Sequence, residues 1–108
     1  MRKSILCDND FPRCYFCGTV IQLERHHCIF GVSNRAKADK YGLWVYLCAE
    51  HHRGQFGVHH NHERARELQC LAQIKFEELY GHDRFMAEFG KNFLGKSKNG
   101  KRTTLLGL

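Results

Sequence analysis

The sequence predicts a small α+β domain stapled by a metal site and extended by helices towards its C-terminal end. Three observations carry that reading. Cys14-x-x-Cys17 and Cys48-x-x-His51 form two knuckles separated by 30 residues, and a tight x-x turn lets both side chains of a knuckle reach one ion. Two β-rich runs lie within the same stretch. From about residue 62 the apolar residues fall into helical spacing.

Taken in order, residues 1–13 read as a leader that ends near Pro12, ahead of the first cysteine pair. Residues 14–62 read as the zinc-stapled core. CYFCG has the small-turn composition of a knuckle, with Gly18 just after the second Cys, and a strand follows it up to residue 31. VSNRAKADKYG is polar and basic and reads as a loop, with room for a short helical turn in RAKADKY. LWVYLC, residues 43–48, has the length and composition of a strand. AEHHRGQFGVHH, with two glycines and four histidines, reads as loop.

Residues 63–94 read as a helical extension packed on the core. Leu68, Leu71, Ala72, Phe76, Leu79 and Tyr80 share one face of a helix, with Asn61 as N-cap and Gly81 as the stop. Asp83 is the expected N-cap of a second helix whose apolar side is Phe85, Met86, Phe89 and Phe93. The spacing makes these aromatics core rather than a surface for stacking bases. Residues 95–108 form a basic, Gly-rich tail, expected to be flexible.

The bulk numbers narrow the function. In 108 residues, 17 Lys+Arg face 11 Asp+Glu, a formal net charge of +6. That excess favours an acidic partner, and nucleic acid is the commonest. The basic N-terminal start lacks an apolar segment before charges return, which argues against a secretory signal. No run approaches the roughly 20 apolar residues of a membrane helix. The six cysteines are therefore expected in a reducing cytoplasm, where Cys-x-x-Cys holds metal or does redox work. A redox dithiol would call for a βαβ setting that is missing here. Three thiolates and one imidazole, Cys14, Cys17, Cys48 and His51, suit tetrahedral structural zinc. Cys7, Cys28 and Cys70 are left over, with Cys7 the reserve ligand.

Seven of the eight histidines fall between His26 and His62. The zinc knuckle would bring the exit of LWVYLC beside the strand that carries His26 and His27. A second divalent metal can then be held by His26, His52 and one of His59 or His60. His27 would stand next to that metal without binding it, as a neutral imidazole able to take a proton from water. Arg25, Arg35, Lys37, Lys40 and Arg53 are the candidate contacts to a phosphate backbone.

These residues resemble the HNH endonuclease family, the ββα-metal nucleases. The resemblance covers roughly residues 14–62 and rests on CYFC, LERHHCIFG, WVYLCAEHH and GVHHN. The stretch from Glu63 to Phe93 is similar to small HNH proteins of bacteriophage and prophage genomes. The resemblance implies a ββα-metal core with a structural zinc, and metal-dependent hydrolysis of DNA; with no recognition helix of clear base-reading residues in the sequence, low sequence specificity is expected. It makes His27 the general base and His26 the metal ligand before it. His52 becomes the later ligand and His59 the last, because Phe56 stands where many members have that ligand. Leu43 occupies the place of the family's middle Asn, so Asn34 or Asn61 takes that role. The implied cofactors are structural Zn and a catalytic Mg or Mn, with Zn or Ni also compatible. The implied partners are DNA and, in a phage setting, packaging or recombination proteins, in a bacterial host cytoplasm and with no membrane. A monomer would nick, and a homodimer could cut both strands. Two other classes compete: a non-catalytic zinc-containing DNA-binding module, and a phage packaging or recombination accessory protein.

Overall fold

The computed structural model describes residues 3–29, 31, 33–55 and 57–94. Six elements follow one another: β1 (Leu23–His27), α1 (Asn34–Tyr41), β2 (Trp44–Cys48), α2 (Ala49–His52), α3 (His62–Tyr80) and α4 (His82–Phe89). The chain is a small α+β fold. β1 and β2 form a two-stranded antiparallel sheet in which Leu23 faces Cys48, His26 faces Val45 and His27 faces Trp44. A lone hairpin is marginal in water. This one survives because Val45 and Leu47 are buried in the same apolar cluster as residues of the helices, with Trp44 also buried.

The expected loop at 32–42 is mostly helix. Only Ala38 and Tyr41 of α1 are buried, so its apolar stripe is too narrow to announce itself. What fixes α1 is its stop. Gly42 is left-handed at φ 72°, and a Cβ there would lie 2.4 Å from the Lys3 carbonyl oxygen. The same contact docks the segment read as a leader. Ile5 N–H donates to the Gly42 carbonyl at 2.9 Å, and the Ser4 hydroxyl donates to the Trp44 carbonyl. From Lys3 onward that segment therefore belongs to the domain.

The helices α3 and α4 share buried residues with the core. Asn61 caps α3 by accepting the Arg64 N–H at 3.1 Å. Leu68, Ala72 and Phe76 are fully buried, and the Phe76 ring lies 4.9 Å from Tyr41 of α1 and 5.4 Å from Phe85 of α4. Two expectations change. Leu79 is 60% exposed, because the helix face turns to solvent in its last turn. Asp83 lies inside the first turn of α4, and Gly81 takes the cap position. Gln73 is buried among apolar groups but fully bonded. It donates to Glu77 and Asn92 and accepts the Phe93 N–H at 2.7 Å, which fastens the segment after α4. The basic tail at 95–108 lies outside the described residues.

Candidate metal centres

The two knuckles meet. Cys14 and Gly18 close the first turn, with Gly18 N–H donating to the Cys14 carbonyl at 2.9 Å. Tyr15 N–H donates to the Tyr46 carbonyl, which ties that turn to β2. Cys48 ends β2 and starts α2, which places His51 one turn on. Cys17 Sγ lies 3.9 Å from Cys48 Sγ. His51 Nδ1 lies 3.3 Å from Cys48 Sγ and 3.7 Å from Cys14 Sγ. A tetrahedron with Zn–S near 2.3 Å and Zn–N near 2.0 Å has edges of about 3.5–3.8 Å, so the four atoms fit one such ion. Burial pushes the Cys14 thiol up, but backbone donors at Cys48, Cys17 and Phe16 outweigh it and leave the thiol below its ordinary value. Cys17 gains a backbone bond from Thr19, yet burial and the facing Cys14 and Cys48 thiols leave it above its ordinary value.

His52 follows His51 directly, and about 100° of helix turn separates the two rings. One imidazole goes to the cysteines and the other to the opposite side. There His26, His52 and His59 place one nitrogen each within 4.8 Å of the others. The loop after α2 delivers His59. Gly57 passes so close to α2 that a Cβ would sit 2.8 Å from the His52 carbonyl, and buried Val58 anchors it through an N–H to the His51 carbonyl. His60 is exposed and outside the group. Cys7 is in neither group, Cys28 is buried, and the Cys70 thiol donates to the Phe93 carbonyl.

The three-histidine set also suits a metal. His26 is 3% exposed, and burial, reinforced by His52, His59 and His27, lowers its pKa to about 3. His59 is lowered by burial and by His52 and His60. Neutral imidazole is the form that binds metal. The buried His26 Nε2 makes no hydrogen bond to the described residues, while its ring stands edge-on to both other rings.

His52 carries a support that sequence reading missed. Its Nδ1–H donates to Glu24 Oε1 at 2.7 Å, and Arg53 donates to the same carboxylate at 3.0 Å. The Arg53 bond, then that of His52, holds the Glu24 carboxyl below its usual range. The bond fixes the tautomer of His52 and leaves Nε2 as the donor to a metal. A signal was available, since Glu24 and His26 are two apart on β1 and share a face. Glu24→Gln is expected to weaken the second ion about 10- to 100-fold, read by metal titration, with the cysteine-held ion unaffected.

His26, His27, His52 and His59, with Arg25, Arg35 and Gly31, line an open cleft of about 360 Å³. His27 is not in the metal group, and its Nε2–H donates to Asp39 Oδ1 at 2.7 Å. Arg25 lies over the Trp44 ring at 4.7 Å. The other expected phosphate contacts are engaged elsewhere: Arg53 with Glu24, Lys37 with the Glu88 carbonyl, and Lys40 above the Tyr41 ring. The two candidates for the middle Asn also stand apart. Asn34 opens α1 and does not line the cleft, and Asn61 serves as a helix cap. Phe56 lies outside the described residues. Among these residues no helix is long and apolar enough to cross a membrane. Comparison with known families, curated proteins and solved structures finds no match for this chain.

Proposed function

We propose that the chain is a metal-dependent endonuclease of the HNH, or ββα-metal, type, hydrolysing phosphodiester bonds of DNA with low sequence specificity. One observation carries the reading. The three-histidine group lies in the same cleft as a histidine outside the group and two arginines. β1, β2 and α2 would be the ββα unit, with the Cys14, Cys17, Cys48 and His51 site as its structural zinc.

In this reading Arg25 and Arg35 hold the phosphate, with Arg25 steadied by Trp44. His27 takes a proton from the attacking water. His26, His52 and His59 hold the catalytic ion. When bound, that ion polarises the phosphate and stabilises charge on the leaving oxygen. The donor set refines which ion to expect. Three nitrogens with no carboxylate favour Zn²⁺ or Ni²⁺, whereas Mg²⁺ prefers oxygen. This reverses the order that the family resemblance suggests. A phage setting, with packaging or recombination proteins as partners, stays part of the proposal on that resemblance alone.

The test is nicking of supercoiled plasmid with Mg²⁺, Mn²⁺, Ni²⁺ and Zn²⁺ in turn, and with EDTA. Relaxed circles that need the ion support the nuclease. Intact supercoils with every ion, from protein whose cysteine site is loaded, would overturn it in favour of a DNA-binding module.

A further inference from the structure

We propose that Asp39 is the positioning residue of His27, locking the imidazole so that Nδ1 faces the attacking water. The inference rests on the nuclease reading for its chemical meaning, but its geometry is independent of it. Asp39 lies in the last turn of α1, twelve residues after His27, and reaches back across the β1–α1 connection. Its carboxylate can only accept, so the 2.7 Å bond puts the ring proton on Nε2. The remaining lone pair is then on Nδ1. The His27 side chain is 14% exposed and lines the cleft, whereas Asp39 is 38% exposed and lies outside its lining. Asp39 therefore acts through His27 and not on the substrate.

The arrangement supplies two things to a proton transfer. First, the ring cannot turn over and present an N–H to the water it must deprotonate. Second, as the water proton arrives on Nδ1, the imidazolium forms beside an opposite charge. The water oxygen bonds to phosphorus, the P–O bond to the leaving group breaks with its electron pair, and the leaving oxygen takes a proton from solvent. His27 itself lies outside the metal group that His26 joins.

The position of Asp39 is set by the turn that ends α1. Gly42 ends α1 with a bond to the Asp39 carbonyl, and Leu43 N–H bonds the Ala38 carbonyl at 2.8 Å as the chain turns into β2. β2 then pairs Trp44 with His27. One turn thus sets both the carboxylate and the strand that carries its partner.

The experiment compares the zinc-loaded wild type with Asp39→Ala and Asp39→Asn. Ring ¹⁵N shifts of His27, at a pH where the ring is neutral, report the tautomer without any cleavage. A single Nε2–H tautomer in the wild type that becomes mixed in Asp39→Ala is expected. Asp39→Asn keeps the tautomer, because its carbonyl oxygen can still accept. In plasmid nicking, kcat falls by at least about tenfold in Asp39→Ala and less in Asp39→Asn, with DNA affinity unchanged. An Nδ1–H tautomer in the wild type, or one unmoved in Asp39→Ala, would overturn the proposal. A wild type that shows the tautomer but never nicks defeats the nuclease reading and leaves the locking intact.

Discussion

Replacing Cys48 by Ser is expected to remove the cooperative unfolding transition of this protein. Cys48 is 7% exposed, ends β2, begins α2, and gives one of four ligand atoms to the cysteine-rich centre. Structural zinc in small domains is worth about 10–16 kcal/mol at neutral pH. A domain of this size has a net stability of about 5–15 kcal/mol. The ion term is therefore comparable with everything else the fold has. Thermal unfolding followed by circular dichroism, with and without a chelator, reads the effect. His51→Cys is the control. It keeps four soft donors and is expected to retain both zinc and the transition. A Cys48→Ser protein that unfolds at the wild-type temperature would show that the ion is not structural.

His27→Ala is the second large effect. A positioned general base contributes about 10²- to 10⁴-fold, so plasmid nicking is expected to fall by that factor. DNA binding and the content of both ions are expected to stay at wild-type levels, since His27 is outside both ligand groups. That combination separates a base from a ligand. A variant that also loses the second ion would move His27 into the coordination sphere. One that still nicks at the wild-type rate would assign the base elsewhere.

How legible the site was depends on the kind of signal each residue gives. The cysteine knuckle was readable because x-x spacing is a local constraint that survives any fold around it. His26, His52 and His59 were readable as a surplus of ligands near that knuckle. His59 lies in the histidine group and His60 does not, through the close pass of Gly57 beneath α2, which carries no sequence signature of its own. α3 was readable from nineteen residues of periodicity and a capping Asn. α2 was not, because four residues cannot display a period. α1 hid behind a polar composition that buries only two side chains.

The supports of the histidines were the least legible part. Asp39 reaches His27 only through the packing of α1 on the sheet, and one acid in a basic helix looks like surface. The family resemblance pointed to an Asn for the middle role, and Asn61 accepts the Arg64 N–H as the cap of α3. Composition counts charges, whereas Lys37 and Arg53 are held by partners that only the tertiary structure supplies.

The central claim is that one short unit carries two metal centres of different chemistry, one built from cysteines and one from histidines. The most direct measurement is the number of ions per folded chain, by native mass spectrometry after loading with Zn²⁺ or Ni²⁺, for the wild type and His52→Ala. Two ions in the wild type and one in the variant, with the cysteine-held ion retained, is the predicted result. A single ion in the wild type under every loading condition would contradict the account and leave the three histidines without a metal to hold.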